Sequence, residues 1–159
     1  MLLDGMTTWE QLIQGHYCNK RQAQSNPALW PHIMLRNSLV ADNVIELKSW
    51  YKYQSEAEVY GHFHLTFRYD SDGNVHTTSI NQKTGEAACP WVWGYNVGYW
   101  WGEPDGDCII GKNKILSQVR FNGQVYLSRD TALDNETGEF RWGKPLNESG
   151  EFEFIRIPD

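Results

Sequence analysis

Three histidines, His62, His64 and His76, are of a residue type that suggests chemistry. His62 and His64 stand two apart in a segment of extended character, so their imidazoles share one face, and metal sites use such pairs. No Cys, Asp or Glu of suitable spacing completes a ligand set, and nothing fixes the register of His76. The reading is therefore of histidines that hold no metal. Hydrolytic chemistry fits no better. There is no G-x-S-x-G elbow to expose a serine. Cys108 follows Asp107, whose charge raises a thiol pKa instead of activating it. The 20 acidic residues leave room for a sugar-cleaving carboxylate pair, but such pairs are invisible in a sequence. No glycine-rich phosphate loop is present. The densest feature is the aromatic stretch Trp91-Val92-Trp93-Gly94-Tyr95-Asn96-Val97-Gly98-Tyr99-Trp100-Trp101. Read as one strand, it puts Trp91, Trp93, Tyr95, Tyr99 and Trp101 on a shared face. That face serves either as core or interface, or as the wall of a site for a flat ligand.

The elements that must position these residues follow from local signals. Thr7 and Glu10 offer a capping box, Trp9, Leu12 and Ile13 fall on one helical face, and Gly15 can end the helix in a left-handed conformation. A second helical turn fits residues 19–24, ahead of Pro27. From there extended segments follow one another: 30–40, 44–53, 59–69, 75–80, 91–101, 107–111, 114–121, 124–129, 139–142 and 152–157. Asp72-Gly73 and Asn122-Gly123 are hairpin signals in which both central positions take positive φ. Asp105-Gly106 and Thr137-Gly138 mark further turns. The pattern predicts an all-β, mostly antiparallel fold, a barrel or sandwich of about ten strands with a short N-terminal helix, in one domain spanning residues 1–159. In segment 59–69, Val59, Gly61, Phe63, Leu65, Phe67 and Tyr69 alternate with Tyr60, His62, His64, Thr66 and Arg68. A barrel strand sends alternate residues inward and outward, and either set could line a cavity.

Composition narrows the function classes. A net charge of −6 without a basic run argues against nucleic-acid binding and against docking on an anionic membrane. No apolar run approaches membrane-spanning length, so no membrane insertion is expected. Residues 1–6 lack a basic stretch followed by an apolar core and do not read as a signal peptide. Cys18, Cys89 and Cys108 are odd in number and form no C-x-x-C pair, which suits free thiols in a reducing cytoplasm. The sequons at Asn135 and Asn147 then mean only exposed turns. Aromatic residues make up 14% of the chain, enough either to fill a small β core or to wall a ligand cavity.

Residues 15–36 carry a more specific signal. Gly15, Tyr17, Asn19, Gln22 and Ala23 are followed by Pro27, Trp30, His32 and Ile33, with Arg36 shortly after. This order resembles the opening of the T-type phycobiliprotein lyases, the CpcT/CpeT family, and is nearest its CpeT branch. Residues 46–53, carrying Glu46, Tyr51 and Tyr53, look like a family strand. Tyr60 fits a family tyrosine, and Phe121-Asn122-Gly123 resembles a family hairpin. The departures are Val59 where a proline is common, Gly61 where an arginine is common, and no cysteine in residues 124–134. The aromatic stretch 91–101 has no family counterpart. Such departures are those of a divergent branch, for instance a virus-carried homologue, in which binding can survive without efficient transfer.

The resemblance implies that this fold is a calycin or lipocalin-like β-barrel, often a homodimer. It would receive a bilin, here phycoerythrobilin, from the reductase that makes it. It would then present the bilin for thioether attachment to a cysteine on the β-subunit of phycoerythrin or another phycobiliprotein. The bilin is a bound substrate and not a permanent cofactor, and the nucleophile belongs to the acceptor. On this reading Tyr51, Tyr53 and Tyr60 line the calyx, and His62 and His64 donate to bilin carbonyls or propionates. Arg36 and Arg68 hold propionates, Glu46 is the catalytic carboxylate for the pyrrole nitrogens, and Trp91 and Trp93 wall the rings. A non-catalytic lipocalin-like carrier of a bilin or another apolar molecule stays open, as does a pure interaction module.

Overall fold

The computed structural model describes residues 8–144 and 150–158. The expected Thr7 cap and the Asn147 sequon lie outside them. Twelve strands form one antiparallel sheet: β1 (Gly15–Cys18), β2 (Ile33–Ala41), β3 (Val44–Tyr51), β4 (Gly61–Tyr69), β5 (Val75–Asn81), β6 (Trp91–Asn96), β7 (Tyr99–Pro104), β8 (Cys108–Ile110), β9 (Asn113–Phe121), β10 (Val125–Asp134), β11 (Phe140–Gly143) and β12 (Phe152–Ile157). Pairing runs β10-β12-β1-β2-β3-β4-β5-β6-β7-β9, and β9 pairs back onto β10, closing a ten-strand barrel. Strands β8 and β11 hang from β9 and β10. Closure leaves the barrel strands no free edge, the expected solution for a chain this rich in strands.

Helices α1 (Trp9–Ile13) and α2 (Lys20–Ser25) precede or interrupt the first strands. α1 stoppers one end of the barrel. Trp9 is fully buried, with its ring 5.1 Å from Phe67, 5.5 Å from Trp93 and 6.2 Å from Phe121. Ile13, Ile45, Val75 and Trp100 complete this apolar plug. Gly15 does not cap α1 in a left-handed conformation, as the sequence suggests. The helix ends at Gln14 in extended conformation, and Gly15 opens β1 at φ +149°, with the Arg156 guanidinium packed where a Cβ would stand.

The motif at residues 15–36 is largely structural. Asn19 is buried, its amide donating to the Pro31 carbonyl and accepting from the Ile33 N–H. Gln22 clips α2 to β12, donating to the Glu151 carbonyl and accepting from the Glu153 N–H. Buried groups paired in this way fix the entry into β2.

Three sequence expectations are corrected. Segment 91–101 is a hairpin and not one strand: Val97 (φ +50°) and Gly98 (φ +82°) turn the chain between β6 and β7. Trp93 and Tyr95 therefore share their face with Trp100, while Tyr99 and Trp101 turn outward beneath the Arg120 guanidinium. In the Asp72-Gly73 and Asn122-Gly123 turns only the glycines take positive φ, and Asn122 instead accepts the N–H groups of Gln124 and Val125. The three cysteines are not all free. Cys89 and Cys108 form a disulfide, because the β6–β7 hairpin returns the chain to its own start, and only Cys18 remains a thiol, buried. The reducing compartment thereby loses the observation it rested on. Among the described residues no helix is long and apolar enough to cross a membrane.

Candidate ligand-binding site

The barrel is hollow. A cavity of about 420 Å³ lies inside it, within the ~300–1,000 Å³ typical of small-molecule sites. Its lining settles which face of each strand looks inward. Leu47 and Ser49 of β3, Phe63 and Leu65 of β4, Thr77 and Ser79 of β5, and Trp91 and Trp93 of β6 all line it. In β4 the odd, apolar set is thus the inner one. Three strands grade from apolar to polar along the barrel axis. Ile45, Leu47 and Ser49 do so on β3, Phe121, Val119 and Ser117 on β9, and Tyr126, Ser128 and Asp130 on β10. Their apolar ends meet the α1 stopper and their polar ends stand at the opposite end.

Asp130 is the one acid among the described residues lining this cavity. Its carboxylate meets water in the lumen but is walled in by the barrel, and that loss of bulk solvent pushes its pKa up. The Ser117 hydroxyl donates to it and partly offsets the shift. Tyr126 lies two turns of the pleat below, and burial, Asp130 and Tyr17 together raise its pKa far enough to keep the phenol neutral. A neutral O–H donor and a poised carboxylate thus project from one strand into an aromatic-walled space. A second hollow of about 400 Å³ adjoins the first and shares Ser128, Asp130 and Phe152 with it. Arg129, Lys144, Trp30 and Trp142 line this outer chamber, with the Lys144 ammonium 5.3 Å from the Trp30 ring centre.

The sequence-predicted residues fall into two groups. Trp91 and Trp93 stand in the cavity wall, with ring centres 5.4 Å apart. Trp93 is anchored by donation to the Thr77 hydroxyl at 3.0 Å, and Gly102 leaves room for its indole where any Cβ would collide. Tyr60 also lines the cavity and begins a stacked series. Its ring lies 4.6 Å from Tyr51, which lies 5.5 Å from Tyr53, and Tyr53 is 82% exposed. A ladder of near-parallel phenol rings therefore leads from solvent towards the lumen, but Tyr51 and Tyr53, unlike Tyr60, do not themselves line the cavity.

Glu46, His62, His64, Arg36 and Arg68 form the other group. Glu46 pairs across the sheet with His64, Lys48 with His62 and with Arg36, and Arg68 with His76. Directly paired residues point the same way, so this set faces outward while Leu47, Phe63 and Leu65 face in. Arg36 pairs with Glu56 at 3.4 Å. Arg68 and His76 border a hollow of about 180 Å³ on that outer side. These five side chains do not reach the lumen. The carboxylate that does is Asp130, which the sequence reading missed because it ended the strand at residue 129. The period-two series Tyr126, Ser128, Asp130 was the signal that could have found it.

No protein-family model matches the chain, and no curated protein matches it in sequence. Solved structures do match. The chain is similar to a T-type phycobiliprotein lyase, CpeT, from Prochlorococcus phage P-HM1, with a TM-score of 0.68 and 20% identity over 92% of this chain and 93% of that one. It is also similar to the CRL protein of Arabidopsis, with a TM-score of 0.66 and 11% identity over 92% and 94% of the two chains. The resemblance in residues 15–36 thus has its counterpart in the fold of nearly the whole chain.

Proposed function

We propose that this protein is a bilin-binding barrel of the T-type lyase kind, which takes up phycoerythrobilin and presents it for thioether attachment to a phycobiliprotein β-subunit. One observation carries the reading: an aromatic-walled cavity with one carboxylate among its described lining residues, Asp130, at its polar end. A linear tetrapyrrole has flat rings for Trp91, Trp93 and Tyr60, pyrrole N–H groups for a carboxylate, and two propionates. Asp130 takes the part first expected of Glu46, because it stands on the lumen face. Arg129 and Lys144 of the adjoining chamber are the cations placed for propionates, in place of Arg36 and Arg68.

The chemistry asks little of the barrel beyond position and charge. The acceptor thiolate adds to the exocyclic ethylidene of ring A, forming one C–S bond while the ring carbon takes up a proton. No group leaves. Holding one bilin geometry with its reactive end at the mouth supplies proximity. A carboxylate beside the pyrrole nitrogens favours their protonated, more electrophilic form. The acceptor cysteine, the reductase that delivers the bilin, a homodimeric assembly and a cytoplasmic site of action belong to the same proposal.

The protein should be mixed with phycoerythrobilin and the phycoerythrin β-subunit apoprotein, then run on a denaturing gel. A covalent, zinc-fluorescent band dependent on this protein is the expected result. A bound, spectrally shifted bilin without that band would reduce the proposal to a carrier.

A further inference from the structure

The outward group of side chains gathers in one place. The histidine pair that lacked an acidic partner in the sequence finds one across the sheet. Glu46 Oε2 lies 2.8 Å from His62 Nε2 and 3.3 Å from His64 Nε2, and the three donor atoms all lie within 4.8 Å of one another. We propose that Glu46, His62 and His64 form a site for one divalent transition ion of the zinc class, on the outer wall of the barrel and independent of the cavity.

The geometry supports this in three ways. First, a tetrahedral ion bound at roughly 2.0–2.1 Å by nitrogen and oxygen holds its donors about 3.3 Å apart. The two carboxylate–imidazole separations, 2.8 and 3.3 Å, fall within about 0.5 Å of that value. Second, the donors stand on paired strands. Glu46 is directly opposite His64, and His62 is two residues along the same face of β4. Sites carried by strands are held more firmly than sites on loops. Third, the three side chains are 20–35% exposed, so solvent reaches the fourth coordination position. Two imidazoles and one carboxylate suit zinc, cobalt, nickel or copper better than magnesium or calcium, which prefer oxygen ligands throughout.

One group opposes binding. The Lys48 ammonium lies 3.7 Å from Glu46 Oε1 and would repel a cation there. It also lies 3.6 Å from Glu56 Oε2, a second carboxylate to which it can turn. The present contacts read as the ion-free form, in which both imidazoles share one carboxylate oxygen. Coordination through Nε2 needs each neutral imidazole to carry its proton on Nδ1.

Calorimetric titration of the untagged protein with zinc chloride, beside visible spectra with cobalt chloride, tests the site. One ion per chain and a tetrahedral cobalt spectrum are expected. His62→Gln and His64→Gln should each weaken zinc binding by more than the ~10–100-fold typical of supporting residues around a metal. Lys48→Gln should tighten it, a gain that reports on the site even if a histidine variant fails to fold. Absence of stoichiometric binding would overturn the proposal. So would binding that none of the three substitutions changes, because the ion would then be held elsewhere. A failure here leaves the cavity reading untouched.

Discussion

Replacing Asp130 with asparagine separates a ligand-binding carboxylate from a structural one. Asparagine keeps the size and an oxygen that can still accept from Ser117, but removes the charge. If Asp130 meets the pyrrole nitrogens, the substitution deletes a charge-assisted hydrogen bond, worth about 1.5–3 kcal/mol. That corresponds to roughly ten- to 150-fold in bilin affinity at about 1.4 kcal/mol per decade. Stability should move the other way. The folded protein raises the Asp130 pKa, mainly by burial. An acid raised on folding binds its proton more tightly in the native state, so ionising it opposes folding. That penalty is absent below the unfolded value near 3.8 and is fully present above the raised folded value. At neutral pH Asp130→Asn should therefore hold or gain stability while losing bilin. The assay is a spectral titration with phycoerythrobilin, paired with urea denaturation at pH 7 and at pH 3. The reasoning is refuted if affinity is unchanged, or if the variant loses stability at pH 7, which would make Asp130 a strut of the barrel.

Other expectations follow from the fold. Val97 is a β-branched residue at φ +50° with 85% exposure, so Val97→Asn should raise stability by about 1 kcal/mol in denaturant titration, matching the turn's demand for positive φ. Trp9→Ala removes the centre of the barrel stopper and should cost about 3–5 kcal/mol in the same measurement. Cys89 and Cys108 close a loop of 19 residues' separation, and replacing both with serine should cost roughly 3 kcal/mol, visible as a lower denaturation midpoint.

The alternation of β4 and the run of turn residues were enough to predict an antiparallel barrel or sandwich, because a period of two and a short spacing between turns are local properties. The wall residues Trp91 and Trp93 were legible for the same reason. Where the sequence reading went astray, the deciding contact was distant. Val97 hides a hairpin, since a valine seldom takes positive φ and only the return of β7 onto β6 makes it do so. Residues 15–18 look like a helix end until β12 and β2 flank them as β1. Glu46 completes the histidine set only through the register of β3 against β4. The Cys89–Cys108 bond depends on that same β6–β7 hairpin. The face of β4 that lines the lumen was undetermined until the positions of Leu47 and Trp93 fixed it.

The most direct test of the central claim is the absorbance spectrum of the purified protein titrated with phycoerythrobilin. Saturation at one bilin per chain with a shifted, sharpened long-wavelength band, weakened by Trp91→Ala, is the expected result. A bilin spectrum that stays that of the free pigment at every protein concentration would contradict the claim.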